Sequence, residues 1–189
     1  MKENEILSVI RSRRSVTRFS DTPVESELLD AVLEAGRWAP SFVNSQPWEF
    51  VVVRDPAHRA RAAEILRRVT VSWQGFSQAP VLIVVAVDPH KDPRHHVEDG
   101  AAAAQNMALM AHSLGLATFW AGLYGGAGGR GSPEEELRSL LSLPRGFRII
   151  AVLPVGFPAH EVKTNPREYR GATTRRPLDE MVHTDRFSA

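Results

Sequence analysis

Apolar residues along the chain follow two spacings, which predict helices alternating with strands. In the segment 25–37, Leu28, Leu29, Val32 and Leu33 recur at helical spacing. Segments with this helical pattern cover residues 3–12, 25–37, 57–69 and 97–114. Short apolar runs predict strands over residues 50–53, 81–87, 116–123 and 148–155. Residues 71–80 follow neither pattern, so an irregular piece or a short helix is expected there.

The run at residues 81–87 contains seven apolar residues without a polar interruption. Such a strand is buried on both faces, so it is expected at the centre of a sheet. The chain shows no internal repeat and no change of composition that would mark a domain boundary. Residues 1–189 therefore predict a single domain, α+β or three-layer α/β, around one sheet of four or five strands.

Composition narrows the classes of function. The net charge is only +1, from 23 basic and 22 acidic side chains, so it does not indicate nucleic acid or an acidic membrane as a partner. The absence of cysteine excludes disulfides, thiolate nucleophiles, iron–sulfur clusters and cysteine-ligated zinc. Because no segment has the pattern of a signal peptide or a membrane span, a cytoplasmic protein is expected.

A cluster of arginines lies at the end of the first predicted helix and just after it. Four arginines fall within eight residues beside the hydroxyls of Ser15 and Thr17, and they are Arg11, Arg13, Arg14 and Arg18. Guanidinium groups match the geometry of phosphate oxygens and hydroxyls add neutral donors, so a phosphate monoester is a natural ligand. A solvated basic helix end is the alternative. A second set of such donors lies near the C-terminus and could complete the same anion site. This second set consists of Thr173, Thr174, Arg175 and Arg176.

The connection between the second predicted helix and the first predicted strand is rich in prolines and polar side chains. Pro40 and Pro47 restrict the backbone, so Ser41, Asn44 and Gln46 are expected on a stiff loop. Each amide offers a donor and an acceptor on one small group, which suits a planar ligand. The alternative is an ordinary connection whose polar side chains satisfy their own backbone.

Two other motifs are interpreted as structural. Glycines at 126, 128 and 131 have the spacing of a dinucleotide-binding loop, but Ser132 and Pro133 begin the next helix only after the last glycine. The acidic residue expected about twenty positions later is also missing, so a surface loop is predicted. Histidines and acids between residues 90 and 99 could bind a metal, but adjacent histidines on a helix diverge by about a hundred degrees. A polar loop and helix start, with no metal, is the interpretation.

Four blocks of sequence together closely resemble the FMN-dependent nitroreductase family. They are Arg13-Arg-Ser-Val-Thr-Arg-Phe19, Ala39-Pro-Ser-Phe-Val-Asn-Ser-Gln-Pro-Trp-Glu-Phe50, the alanine-rich helix leading into Leu114-Gly-Leu-Ala-Thr-Phe-Trp-Ala-Gly122, and Leu153-Pro-Val-Gly-Phe-Pro158. Their order and spacing match the family over nearly the whole chain. The resemblance implies a three-layer α/β/α fold with a mixed, mainly antiparallel central sheet, in a homodimer with two FMN molecules at its interface.

The resemblance also implies roles for particular residues. The arginine cluster of one subunit would bind the phosphate and ribityl end of FMN, and the tail arginines would close that site. The stiff loop of the other subunit would line the flavin, while the backbone at Ala121 and Gly122 would approach its N5 edge, where a small residue is useful. The helix at 97–114 would pack at the dimer interface. The implied cofactor-binding residues are Arg13, Arg14, Ser15, Thr17, Pro40, Ser41, Asn44, Gln46, Ala121, Gly122, Arg175 and Arg176.

Thr17 departs from the family pattern, because family members commonly carry lysine or arginine at this position, near the flavin N1 and C2 carbonyl. A fixed positive charge there stabilises the reduced flavin and raises its two-electron potential. Thr17 offers only a hydroxyl. Either Arg14 or Arg18 supplies the charge from a shifted position, or this flavin is a weaker oxidant than is usual in the family.

The activity implied by the resemblance needs no nucleophilic side chain, since the cofactor carries the chemistry. NADH or NADPH would give hydride to flavin N5, and a nitroaromatic, a quinone or a related acceptor would then take it, in a ping-pong cycle. An FMN-dependent dehydrogenase or oxidase, a dehalogenating relative and a non-catalytic flavin-binding protein are the alternatives. Candidate walls of the pocket, each equally explained by core packing, are Phe42, Trp73, Phe76 and Trp120.

Overall fold

The computed structural model of the protein describes residues 4–124, 131–162 and 175–187. Within these ranges the helices are α1 (Glu5–Ser12), α2 (Ser26–Arg37), α3 (Pro56–Leu66), α4 (Gln74–Gln78), α5 (His96–Ser113) and α6 (Pro133–Leu140). The strands are β1 (Trp48–Val53), β2 (Val81–Val87), β3 (Ala117–Thr118), β4 (Ala121–Gly122) and β5 (Arg148–Gly156). Short 3-10 turns cover Phe42–Asn44 and Leu178–Glu180.

The strands form one sheet in the order β1-β2-β5-β3, and β4 also pairs with β5. Each of the pairings described between these strands is antiparallel. A parallel bridge joins Ser15 to Thr118 at the side of β3. The prediction of a mixed, mainly antiparallel sheet is therefore confirmed, with the parallel part limited to this bridge.

Strand β2 is buried along its whole length, as its unbroken apolar sequence predicts. Side chains of a strand point alternately to opposite faces, and here they enter two separate cores. Leu82 and Val84 pack on the face covered by α3, α4 and α6. Ile83 and Val85 pack on the other face, with α2 and α5. The three-layer α/β/α arrangement follows from this division.

Helix α5 lies against α2 and the sheet, and small residues allow the close approach. Its alanines at 103, 104, 108 and 111 are buried. Gly36 of α2 faces Met107 so closely that a Cβ atom would overlap the methionine side chain. Gly115 then ends the helix with a φ of 76°, a left-handed conformation that glycine adopts at little cost.

Two predicted elements differ from the structure. The strand expected over 116–123 is divided into β3 and β4, because Phe119 and Trp120 between them belong to neither strand. Both pieces pair with β5 in one continuous register, Phe119 is buried in the core, and Trp120 is 40% exposed. The helix expected over 57–69 ends at Leu66, after which backbone hydrogen bonds form a tight turn.

The start of α6 follows the predicted cap. Ser132 Oγ accepts a hydrogen bond from the Glu135 amide at 3.2 Å, and Pro133 occupies the first turn. Glu135 in return accepts from the Gly131 amide at 2.8 Å. Among the helices in the described ranges, none combines the length and the apolar character needed to cross a membrane.

Candidate functional site

The arm that follows α1 is held in an extended conformation beside β3. Ser15 pairs with Thr118 in the parallel bridge, and the Val16 amide donates to the Thr118 carbonyl oxygen at 3.2 Å. Val16 packs against the core, whereas Ser15 and Thr17 are exposed. Because side chains alternate along an extended segment, the two predicted hydroxyl donors lie on the outer side.

Arg13 and Arg14 follow directly after α1, and both are half-buried. The Arg14 Nη1 atom donates to the carbonyl oxygens of Arg11 at 2.7 Å and Arg13 at 2.9 Å. These bonds satisfy carbonyl groups at the helix end. Both arginines also line a surface cleft with His112 and Thr118. The predicted cationic cluster therefore surrounds the junction of α1, the arm and the end of α5.

His112, which the sequence did not single out, connects α5 to the end of α1. Its Nε2 atom lies 2.8 Å from Ser12 Oγ. Ser12 Oγ donates to the Ser8 carbonyl oxygen at 2.8 Å, so the imidazole donates to the hydroxyl. Burial lowers the pKa of His112, and the positive charges of Arg13 and Arg14 lower it further. A neutral ring is thus favoured beside the arginines.

The proline-flanked loop has an unusual backbone. Val43, Asn44 and Gln46 have φ values of 46°, 58° and 45°, in the left-handed region. The Gln46 amide donates to Ser41 Oγ at 3.0 Å, which closes the loop on itself. Asn44 and Gln46 are exposed, like Pro40, while Ser41 is half-buried. The predicted amides are therefore presented at the surface, as the stiff-loop interpretation requires.

Asp99, in the first turns of α5, receives this loop. Its Oδ1 accepts from the Phe42 amide at 3.2 Å and its Oδ2 accepts from Ser45 Oγ at 3.3 Å. Asp99 is only 6% exposed. The sequence had placed it among potential metal ligands, whereas the structure shows that it binds the loop.

His95, next to the start of α5, also contacts this loop, and Asp92 lies beside it. The His95 ring packs on the Phe42 ring with centroids 4.2 Å apart. His95 Nδ1 lies 3.5 Å from the buried Asp92 carboxylate. Although burial acts to raise it, hydrogen bonds from the backbone amides of Arg94 and His95 hold the pKa of Asp92 below its ordinary value. Asp92 thus remains a carboxylate that organises the start of α5.

Ala121 and Gly122 form β4 at the side of β5. Ala121 is buried and Gly122 is exposed. A Cβ atom on Gly122 would lie 3.3 Å from Trp120 Nε1, so this position has little room for a side chain. Among the four aromatic candidates, Phe76 is fully buried in the core and Trp73 packs against it. Phe42 and Trp120 are 51% and 40% exposed, which leaves them available as walls of a surface site.

The remaining sequence predictions are outside the described ranges or stay untested. Arg176 donates to the Glu180 carbonyl oxygen at 2.7 Å within its own turn, and Arg175 precedes it. Thr173 and Thr174, and the glycine-rich loop at 125–130, lie outside the described residues. Among the residues that are described, no group of three or more histidines and acids is arranged to hold a metal ion.

The two predicted sets of donors lie at opposite ends of α5. The loop contacts Asp99 near its beginning, and α1 contacts His112 near its end. Thirteen residues at about 1.5 Å each separate these contacts by roughly 20 Å. One end offers guanidinium groups and hydroxyls, which fit a phosphate, and the other offers amides, which fit a planar ring with hydrogen-bonding edges.

Comparison with known proteins identifies the family to which this fold belongs. The model of the nitroreductase family matches residues 10–72 and 66–157. A relative from Methanothermobacter thermautotrophicus, assigned as an NADH dehydrogenase/NAD(P)H nitroreductase, is 35% identical over 166 residues, which cover 85% of this chain and 81% of the relative.

Solved structures show the same fold. An FMN-dependent nitroreductase from Clostridium difficile R20291 superposes with a TM-score of 0.81 and 26% identity, covering 95% of this chain and 98% of that one. A structure from Desulfovibrio desulfuricans, assigned as a nitroreductase and solved in complex with FMN, has a TM-score of 0.72 and 31% identity, covering 99% of this chain and 100% of that one. With a family model that spans most of its length and relatives that share its fold, this chain belongs to the nitroreductase family.

Proposed function

We propose that the protein is a homodimeric FMN-dependent oxidoreductase that uses NADH or NADPH to reduce a small electron acceptor such as a nitroaromatic or a quinone. Membership of the nitroreductase family supports the class of enzyme. The names of its relatives support the pyridine nucleotide and the cofactor. The observation that carries the proposal is the placement of phosphate-type donors and amide donors at opposite ends of α5.

The donors on this chain fit the chemical parts of FMN. Arg13 and Ser15 offer a cation and a hydroxyl for the phosphate and ribityl end, beside Arg14, and Thr17 lies exposed further along the arm. Ser41, Asn44 and Gln46 offer a hydroxyl and two amides for the edge of a planar ring. Exposed Gly122 has no side chain that would keep a ring away from its backbone.

A second copy of the chain completes this site. A two-fold axis that sets α5 of one subunit antiparallel to α5 of its partner brings the beginning of one helix beside the end of the other. The loop at residues 41–46 of one chain, the amide loop, then meets the segment at residues 13–18 of the other chain, the arginine arm. We place Arg175 and Arg176 at the phosphate end of the same site.

Exposed apolar side chains support the dimer. On α1, Ile6 and Ile10 are 71% and 49% exposed, and α1 buries none of its residues within the chain. Trp38, which precedes the amide loop, and Val43, which lies within it, are 72% and 81% exposed. Apolar surface concentrated near a polar site is typical of a protein interface.

Bound FMN supplies two-electron chemistry at N5, in which the pyridine nucleotide gives hydride and the acceptor then takes it in a ping-pong cycle. The chain contributes binding and orientation. The arginine arm neutralises the phosphate, and the left-handed loop fixes the amide groups before the cofactor arrives. Exposed Gly122, which has no side chain, leaves room for the nucleotide and the acceptor to approach the same edge.

The absorption spectrum of the purified protein tests this proposal directly. A flavin spectrum that bleaches on anaerobic addition of NADH or NADPH, and returns on addition of menadione or a nitroaromatic, is the expected result. A colourless protein that takes up no FMN would remove every flavin-based function. A flavin that stays oxidised with both nucleotides would instead favour a flavin-binding role, or oxidation of a different substrate.

Asn44→Ala tests the assignment of the amide loop. We expect about tenfold weaker FMN binding, the effect of losing one well-placed hydrogen bond, while the dimer stays folded. Titration of the apoprotein with FMN, followed by flavin fluorescence, measures the affinity, and sedimentation checks the dimer. Glu64→Ala, at an exposed position of α3 on the face of the sheet opposite α5, is the control. Equal affinities for Asn44→Ala and the wild type would count against the assignment.

A further inference from the structure

We infer that Asp99 is a positioning residue that holds the loop at residues 41–46 in the conformation that presents Asn44 and Gln46 to the flavin. This inference rests on the proposed function and names a residue on which it depends. Asp99 itself is buried, with both carboxylate oxygens bonded to the loop, so it acts on the cofactor through the loop.

The loop conformation is costly for its own residues. Three of its positions, Val43, Asn44 and Gln46, are left-handed, and none of them is glycine. Asparagine adopts this conformation more readily than most residues, but a β-branched valine does so rarely. Val43 is 81% exposed, so burial of its side chain within the chain does not offset the cost. Strain of this kind persists only where surrounding contacts fix the backbone, and it concentrates at ligand sites.

The loop's own hydrogen bonds close it but do not orient it. The Gln46 amide donates to Ser41 Oγ, and the amides of Asn44 and Ser45 donate to carbonyl oxygens inside the loop. These bonds would move with the loop as a unit. Orientation against the remainder of the chain requires a contact with another element.

Asp99 supplies that contact at two points. One carboxylate oxygen accepts from the backbone of Phe42, before the left-handed residues, and the other accepts from the side chain of Ser45, within them. Two anchors three residues apart fix both the position and the rotation of the segment between them. The Phe42 ring, packed on His95, adds a third point.

The position of Asp99 in the fold makes this anchor rigid. It lies in the first turns of α5, where the helix dipole favours a negative charge. The adjacent Gly100 packs tightly against Val87 and Ile150 of the sheet. Through this short stretch of α5 the loop is held in a fixed position relative to the central sheet. Its amides are therefore ordered before FMN binds.

Two substitutions of Asp99 distinguish its role in positioning the loop from the effect of its negative charge. In Asp99→Ala both anchors are lost, and we expect FMN to bind about tenfold weaker or worse. In Asp99→Asn the side-chain oxygen still accepts from the Phe42 amide and the new amide can donate to Ser45 Oγ, so affinity within about threefold of the wild type is expected. FMN titration of the apoproteins measures both, and thermal unfolding of each apoprotein reports any general loss of stability.

A double substitution tests whether Asp99 acts through the loop. If it does, Asp99→Ala weakens FMN binding less in an Asn44→Ala background than in the wild type, because one of the two contacts that it positions is already gone. A purely structural role would lower the unfolding temperature of Asp99→Ala and leave FMN affinity unchanged. Additive losses with Asn44→Ala, or Asp99→Asn binding as weakly as Asp99→Ala, would also overturn the inference.

Failure of the proposed function gives a different result. A wild-type protein that takes up no FMN removes both proposals, whereas wild-type binding with full affinity in Asp99→Ala removes only the role of Asp99. If Asp99→Ala does not fold, Ser45→Ala takes its place, since it removes one anchor and keeps the carboxylate. About threefold weaker FMN binding is expected for Ser45→Ala, and unchanged binding overturns the inference.

Discussion

At the scale of single residues, Thr17 is the position where the resemblance to the family implies a cation and this chain carries a hydroxyl. The side chain is exposed on the outer side of the arm, where a longer cationic residue could extend without a clash from the core. Arg14 is held at the end of α1 by the carbonyl oxygens of Arg11 and Arg13. Of the two arginines considered as substitutes, Arg18 is therefore the better placed, because it lines an open cleft together with Thr17.

Thr17→Lys is expected to raise the two-electron midpoint potential of bound FMN. One added charge a few ångströms away interacts by about 1 to 4 kcal/mol, which corresponds to roughly 20 to 90 mV for two electrons. Equilibration with a reference dye during reduction measures the potential. Thr17→Gln lengthens the side chain without adding a charge, so it should leave the midpoint potential unchanged. An unaltered potential in Thr17→Lys would show that a cation is already present, and Arg18→Gln should then lower the potential.

His112 makes stability depend on pH. Burial and the two neighbouring arginines lower its pKa in the folded state, so the unfolded chain, with an ordinary value near 6.5, takes up the proton first. The contribution of His112 to the free energy of unfolding is fully present above about pH 6.5, and it is lost as the pH falls below that value. His112→Gln keeps a donor for Ser12 Oγ but does not titrate.

We therefore expect the unfolding temperature of His112→Gln to fall less than that of the wild type between about pH 7.5 and about pH 5.5. Scanning calorimetry of the apoprotein at several pH values provides the measurement. His90→Gln, which replaces an exposed ring, is the matched control and should follow the wild type. If His112→Gln shows the same pH dependence as His90→Gln, the assignment to His112 is wrong.

At the scale of elements, α6 is fixed to β5 through Glu134, which is only 5% exposed. Its carboxylate accepts from Arg148 Nε at 2.8 Å and Nη2 at 3.1 Å, and from the Ile149 amide at 2.9 Å. Glu134 also lies at the start of α6, where the dipole favours its charge. One carboxylate thus joins the helix to the longest strand of the sheet.

Glu134→Gln is expected to reduce the free energy of unfolding by roughly 2 to 3 kcal/mol. This expected loss of stability is smaller than that for breaking a fully buried ion pair, because the Arg148 side chain is 30% exposed and water can reach it. Urea unfolding should show a lower midpoint with an unchanged slope. Glu64→Gln, at the exposed pair with Arg67, is the control and should shift the midpoint little. Equal shifts for the two variants would contradict a special role for Glu134.

The pattern of apolar and polar residues was sufficient to predict most of the helices and strands. The apolar run at 81–87 and the cap at Ser132 are local signals, and both elements form where they were predicted. The break between β3 and β4 was missed because Phe119 and Trp120 continue the apolar run, although one is buried and the other half exposed. Burial depends on the far strand β5 and on the core, which a local window does not contain.

The candidate site was predictable only in its exposed parts. Asn44, Gln46 and the arginines were singled out because their types and their proline-rich or basic surroundings indicate ligands, and that role stays a prediction. Asp99 and His112 were not found, because their partners are 57 and 100 positions away in sequence. A carboxylate or an imidazole in a helix has no local mark that separates a metal ligand or a solvated group from a residue that positions a loop.

At the scale of the whole molecule, the proposed site requires two chains. Each chain carries an arginine arm at one end of α5 and an amide loop at the other, about 20 Å away by helix rise. In an isologous dimer both contributions occur twice, so two equivalent sites form from complementary halves. A consequence is that substitutions in the two halves can be combined in one dimer.

Heterodimers test this arrangement. A dimer of one Arg13→Ala chain and one Asn44→Ala chain has one site built from two unchanged halves and one site with both substitutions. We expect it to bind about one FMN with wild-type affinity, although each parent homodimer binds weakly at both sites. Differently tagged chains, purified through both tags and titrated with FMN, give the stoichiometry and affinity. A heterodimer of Arg13→Ala with the wild-type chain calibrates the signal of one intact site. If both halves came from the same chain, every site in the mixed dimer would carry one substitution, and its affinity would stay as weak as in the parents.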